Sequence, residues 1–358
     1  MAVPLLFQPI TFRSVTARNR IAVSPMCQYS ADDGLGWDWH VQALGAKAMA
    51  GPGIVFTEAT HTSAAGRITP GCLGAYRPEH GDFLRRLAAL IAYGGAVPGI
   101  QISHAGRKAS SQRPWEGGRA LLPADGGWET LAPSAIPFHD NSPSPHAMSA
   151  AELQGIVAEF AASARMARQA GFKVVELHAA HGYLLHSALS PISNARTDGY
   201  GGGLAGRARL LMEVLDAVRA EWPDDLPLFV RLSCTDWMQG GLTADDAVQV
   251  GRWLQARGDV DLMDCSTGGV SPAARIPSVH PGYQVPYADR MRREAGIATG
   301  AVGMIRTAEQ AAEIVANERA DLVFVGRAVL ADPAWTLRAA ETLKAPAELP
   351  PQYRRSRE

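Results

Sequence analysis

Short apolar, β-branched runs recur along this chain, and longer stretches with apolar residues at helical spacing lie between them. Residues 20–24, 54–58, 97–102, 173–178, 228–232, 262–266, 297–302 and 322–325 read as eight buried strands. Residues 80–93, 150–170, 204–221, 244–257, 307–316 and 327–340 read as amphipathic helices. Strands with continuous apolar runs, alternating with helices, predict a parallel sheet covered by helices. Eight repeats fit a single closed (β/α)8 TIM barrel, an α/β fold, better than an open doubly wound sheet. Helix ends that pass into strands repeat a small-residue turn: Ala170-Gly171-Phe172-Lys173, Arg257-Gly258-Asp259-Val260 and Arg319-Ala320-Asp321-Leu322.

Residues 6–20 read as an N-terminal hairpin closing the bottom of the barrel. The longest irregular stretch, 103–149 after strand three, carries six prolines together with Trp115 and Trp128. Loops of that length are uncommon unless functional, so it is expected to cap the active site. The barrel domain is assigned to residues 1–343. A Pro- and Arg-rich tail, 344–358, is placed on a neighbouring subunit or in solvent.

Bulk properties narrow the function. The 358 residues are 47% hydrophobic, enough for a large core, and the net charge of −1 gives no electrostatic case for nucleic acid or an anionic membrane. At 19%, charged residues fall below the usual share of about 25%, which fits a compact enzyme in a homo-oligomer, a homodimer or homotetramer. The cysteines, Cys27, Cys72, Cys234 and Cys265, form no C-x-x-C pair. Neither a signal peptide nor a bilayer-length apolar run is visible, so a cytoplasmic protein is expected.

The strand ends carry the chemistry. Strand four opens into His178-Ala179-Ala180-His181-Gly182-Tyr183, three proton or hydrogen-bond donors where a barrel places its active site. Strand one runs into Ser24-Pro25-Met26-Cys27-Gln28-Tyr29. Ala59 after strand two is small enough for a flat ring to approach the backbone. Gln101 on strand three can both donate and accept, which suits the edge of a flavin pyrimidine. Arg231 on strand five is a cation aimed into the barrel mouth, and it needs an anionic partner; a reduced flavin would supply one. Gly303 after strand seven, and Gly326 with Arg327 after strand eight, form the pattern of a barrel phosphate site.

Other chemistries fit less well. No lysine among Lys47, Lys108, Lys173 and Lys344 ends a strand, against a Schiff-base aldolase. His178 and His181 lack an obvious third ligand, so no metal is assigned. No G-x-S-x-G elbow appears.

With these residues the chain resembles the Old Yellow Enzyme family of flavin-dependent ene-reductases, also called the NADH:flavin oxidoreductase/NADH oxidase family. Within it, the likeness is to the bacterial branch with a cysteine near the flavin, which includes NADPH dehydrogenases and xenobiotic reductases. The resemblance runs from Asn19-Arg20-Ile21-Ala22-Val23-Ser24-Pro25-Met26-Cys27-Gln28-Tyr29, through the His178 motif and Leu189-Ser190-Pro191-Ile192-Ser193-Asn194-Ala195-Arg196, to Gln352-Tyr353-Arg354-Arg355. It implies non-covalent FMN, held by Ser24, Pro25, Met26, Cys27, Ala59, Gln101 and Arg231, with Gly303, Gly326 and Arg327 at the phosphate. It implies NADPH as reductant, and enones, enals or nitro compounds as substrates. Tyr29, His178 and His181 would bind the substrate, Tyr183 would protonate it, and Cys27 would tune the flavin. Arg355 is expected to reach a neighbouring subunit's active site, although the usual aromatic residue after that motif is replaced here by Ser356-Arg357-Glu358. The alternatives are another FMN-barrel dehydrogenase, a flavin-free phosphate-binding barrel isomerase and a non-catalytic scaffold.

Overall fold

The computed structural model describes residues 2–347 and 350–357. Eight parallel strands close into a barrel: β3 (Ile21–Val23), β4 (Ile54–His61), β5 (Val97–Ser103), β8 (Val174–Ala179), β9 (Leu228–Ser233), β10 (Leu262–Ser266), β11 (Thr299–Ala301) and β12 (Leu322–Val325), with β12 pairing back to β3. All eight predicted runs are strands. They are almost wholly buried because helices cover the outside and side chains fill the inside. A hairpin of β1 (Ile10–Phe12) and β2 (Val15–Ala17) precedes them.

The long helices form where the periodicity places them. α3 (Ala150–Ala170) begins with a reciprocal cap between Ser149 and Glu152 and ends at Gly171 in the left-handed region. α5 (Leu204–Glu221) packs against it, and α6 (Ala244–Arg257) repeats the device with Thr243 and Asp246. α2 (Pro78–Tyr93) and α8 (Ala308–Ala316) also match their expected spans.

The expected helix at 327–340 is two: α9 (Arg327–Ala331) and α10 (Trp335–Thr342). Pro333 sits at the break, where it has no N–H to donate and forces the preceding Asp332 into an extended conformation. Three further helices are additions to the sequence reading: α1 (Asp38–Ala48), α4 (Leu184–Leu189) and α7 (Val285–Ala295). The stretch 103–149 is not bare loop. It holds short 3-10 turns and a two-stranded pair of β6 (Leu131–Ala132) and β7 (His146–Ala147), pinned by the Trp128 indole donating to the Ala65 carbonyl at 2.9 Å.

The two ends of the barrel are built differently. At the N-terminal end, rings fill the interior: Phe12 meets Phe229 edge-on at 5.1 Å, and Phe56 stacks with Phe324 at 5.8 Å. Gly300 on β11 makes room for this layer, since a Cβ there would lie 2.3 Å from the Phe324 ring. The hairpin covers it, tied down by Arg13 Nε to Asp261 at 2.6 Å. Among the described residues, no helix is long and apolar enough to cross a membrane.

Candidate active site

A cavity of about 400 Å³ opens at the C-terminal ends of the strands, in the size range of small-molecule and cofactor sites. The loop after β3 supplies one wall, with Ser24, Pro25, Met26 and Cys27. Ala59, Gln101 and Arg231 line it from β4, β5 and β9. Ala59 reaches this place through a register shift against β5 between Phe56 and Ala59, which turns Glu58 away toward His40 and the backbone N–H of Gln28. Gly303, Gly326 and Arg327 complete the predicted set.

The motif after β8 folds into a compact donor cluster. The His178 ring meets the Tyr183 ring at 4.8 Å and the His181 ring at 5.1 Å, both edge-on. His178 Nδ1 accepts from the Ala180 backbone N–H at 3.2 Å, so in the neutral ring the proton sits on Nε2. His181 is bonded through Nε2 to the Ser266 hydroxyl at 2.7 Å. Burial, and then the Arg231 charge, hold both imidazoles well below their usual pKa, so both rings are neutral near pH 7. Burial keeps the Tyr183 phenol protonated. Burial likewise raises the Cys27 thiol, which also interacts with the Tyr29 hydroxyl, so Cys27 is a thiol and not a thiolate.

His181 has a left-handed backbone, φ 58°, and Gly182 follows at φ 76°. Three contacts hold this turn. The Gly182 N–H donates to His186 Nδ1 at 2.8 Å, and His186 is itself paired with Asp236 at 2.9 Å. Lys108 Nζ donates to the carbonyls of His181, at 2.8 Å, and Gly269, at 3.1 Å. Gly182 and Gly269 pack directly against each other, for a Cβ on Gly182 would lie 2.3 Å from the Gly269 carbonyl oxygen. Lys108, which the sequence reading set aside, stands over the Tyr183 ring, and burial pulls its pKa down to about 8.

Arg231 and Tyr29 sit otherwise than expected. Arg231 does not wait for a ligand to balance it: its Nε lies 3.0 Å from the buried Asp264 carboxylate. Tyr29 lines an adjoining cavity of about 250 Å³ under the capping segment, which shares Tyr183 with the main one. Arg355 is exposed on the short terminal 3-10 helix and lines neither cavity. Among the lining residues the sequence reading missed are four polar ones: Ser266 at the end of β10, Thr267 after it, Tyr283, and Arg306 after β11. The Ser-Thr-Gly-Gly run and a basic residue three positions past Gly303 were the available cues.

The donor set fits a flavin mononucleotide. Gln101 and Arg231 suit the pyrimidine edge. Arg306 and Arg327 are exposed beside Gly303 and Gly326, and among the described residues neither has an ion-pair partner, which suits a phosphate dianion.

Residues 5–345 match the NADH:flavin oxidoreductase / NADH oxidase family. The chain is 45% identical to an NADPH dehydrogenase of Listeria innocua serovar 6a over 353 residues, covering 98% of each protein. It is 46% identical to an NADPH dehydrogenase of Geobacillus thermodenitrificans, again with 98% of each covered. Among solved structures, 2-naphthoyl-CoA reductase bound to 2-naphthoyl-CoA superposes with a TM-score of 0.86 at 29% identity, over 94% of this chain and 52% of that one. Morphinone reductase superposes with a TM-score of 0.78 at 24% identity, over 98% and 93%, a likeness of fold.

Proposed function

Because the chain belongs to the NADH:flavin oxidoreductase / NADH oxidase family, the Old Yellow Enzyme family, and is thereby a flavin-dependent oxidoreductase, we propose that it is an NADPH-driven ene-reductase of α,β-unsaturated carbonyl compounds. The observation that carries this reading is the pair of neutral imidazoles beside a protonated tyrosine, on one rim of the flavin-sized cavity. The names of the relatives support NADPH as the reductant.

FMN, when bound, would supply hydride transfer between NADPH and the substrate β-carbon. The protein side chains do the rest. His178, with its proton fixed on Nε2, donates to the substrate carbonyl oxygen, and His181 donates beside it. Neutral donors suit an oxygen that gains negative charge, and each is worth roughly 3–4 kcal/mol in such sites. Tyr183 holds the proton destined for the α-carbon, a general-acid step. Lys108 keeps the His181 turn in place. Gln101, Arg231, Arg306 and Arg327 would hold the cofactor, and the capping segment would exclude water. Cys27, as a neutral thiol lining the cavity, would be a hydrogen-bonding neighbour of the flavin. Enals and nitro-olefins offer the same acceptor oxygen and fall in the same substrate class, and Arg355 of a neighbouring copy would complete the site in a homo-oligomer.

The test is one anaerobic cuvette. Yellow protein is expected to bleach with NADPH and to regain its colour with 2-cyclohexenone. Bleaching without recovery would remove the enone reading and favour another FMN-barrel dehydrogenase. A protein that stays colourless in excess FMN would leave a flavin-free barrel.

A further inference from the structure

Four buried polar side chains from successive strands cluster in the barrel: Gln101 of β5 and Arg231 of β9, which line the cavity, and Glu176 of β8 and Asp264 of β10, which do not. The register sets Gln101 opposite Glu176 and Arg231 opposite Asp264. Gln101 Nε2 donates to Glu176 Oε1 at 2.7 Å, and Arg231 Nε faces Asp264 Oδ2 at 3.0 Å. Both carboxyl groups are fully buried. Glu176 Oε2 and both Asp264 oxygens have no hydrogen-bond partner among the described residues, and Arg231 Nε meets Asp264 as a close ion pair without hydrogen-bond geometry.

Two carboxyl groups thus answer to one guanidinium. With both ionised, an uncompensated charge would sit in the barrel interior, at a cost of several kcal/mol. One shared proton removes it. We infer that Glu176 and Asp264 are positioning residues for the flavin, which share one proton at neutral pH, keep the cluster with Arg231 uncharged, and thereby set how readily the flavin accepts electrons. The inference rests on the flavin reading of the same cavity.

Their surroundings are consistent with this. Burial and the neighbouring Asp264 push the Glu176 carboxyl upward, and burial pushes Asp264 upward; Arg231 opposes both. The other groups facing the pair are the amide of Gln101 on β5, the imidazole of His178, opposite Arg231 in register and neutral, and the Cys265 thiol, which its Cys234 neighbour and burial hold protonated. Loss of the shared proton therefore leaves one net negative charge with no mobile group to answer it. Added electrons then meet a repulsion they do not meet at neutral pH. No electron or atom of the reaction passes through the pair.

The measurement is a redox titration of the FMN-loaded protein from about pH 6.5 to about pH 9.5, for wild type, Glu176→Gln and Asp264→Asn, with FMN dissociation followed alongside. Wild type and Glu176→Gln should share one potential at the acid end. At the alkaline end wild type should fall below the variant, which cannot ionise. In Asp264→Asn the remaining carboxylate, Glu176, is left as the one counter-charge of Arg231 in the cluster, and its pH slope should match that of Glu176→Gln. Superimposable curves for wild type and Glu176→Gln overturn the inference. Should the variants not fold, the infrared carbonyl band of a protonated buried acid in wild type decides. It is expected at about pH 7 and lost at about pH 9.5, and its absence at neutral pH also overturns the inference. A protein that binds no FMN breaks the flavin reading instead, and the infrared band of the cofactor-free protein still reports on the pair.

Discussion

The lower end of the barrel and the upper end solve opposite problems with the same strands. Below, Phe12, Phe56, Phe229 and Phe324 bring only apolar surface into the interior, and a hairpin seals it. Above, Gln101, Glu176, His178, Arg231 and Asp264 occupy the interior, and several of their polar atoms lack partners among the described residues. One end gains free energy by excluding water and the other gives some up to keep polar groups dry. Stability and chemistry are thereby separated along the length of each strand, as expected for a barrel whose reactions occur at the C-terminal face.

The largest expected effect lies above. Tyr183→Phe removes the acid but keeps the ring that packs on His178. Enone reduction should fall about 10²- to 10⁴-fold, while bleaching by NADPH and the unfolding midpoint stay as they were. A loss below tenfold would mean that the proton comes from elsewhere and that the upper end holds another acid. Below, Phe229→Ala should cost about 3–5 kcal/mol in urea unfolding, with KM and FMN affinity unchanged in the protein that remains folded. If FMN affinity fell in step with stability, the two ends would not be independent.

Acid separates them less sharply. Four buried histidines gather toward the upper end: His61, pulled down to about 3, His104, pulled down to about 4, His178 and His181. Unfolded, each would bind a proton below about pH 6.5, so the folded state loses stability as pH falls through that value. Glu176 and Asp264 act with the opposite sign, because the fold raises their pKa and favours their protonation. The four histidines outnumber the two carboxyls, so stability should fall with pH between about pH 6.5 and about pH 4.5. Urea unfolding of the cofactor-free protein at several pH values measures that slope; a flat profile would show that the histidines are already charged in the fold.

Much of this contrast could be read in the sequence, and the parts that could not share a cause. Strands fully buried in a parallel barrel announce themselves as apolar runs, and α3 and α6 carry their caps in sequence. α1 hid because it opens on Trp37-Asp38-Trp39, α4 because all of its residues are buried and no polar face remains, and α7 because Pro286 near its start reads as a breaker. At the site, His178, His181, Tyr183, Cys27, Gln101 and the glycines were named from their positions at strand ends, and all of them line the cavity. Glu176 and Asp264 were passed over although each is an acid inside an apolar run. What makes them matter is their register against Gln101 and Arg231, and register between strands far apart in sequence is not written in either one.

The contact between Gly182 and Gly269 has a practical consequence for anyone reshaping the cavity. A Cβ on Gly269 would lie 2.6 Å from the His181 Cα, so neither glycine leaves room for a side chain while the other loop stays where it is. The loops after β8 and β10 are therefore editable only as a pair, and a library that randomises one of them will return mostly broken proteins. The freer ground is the adjoining cavity beneath the capping segment, where Ile68 and Ser111 form part of the wall; Phe138 is less free, because Lys108, which holds the His181 turn, lies 4.4 Å from its ring.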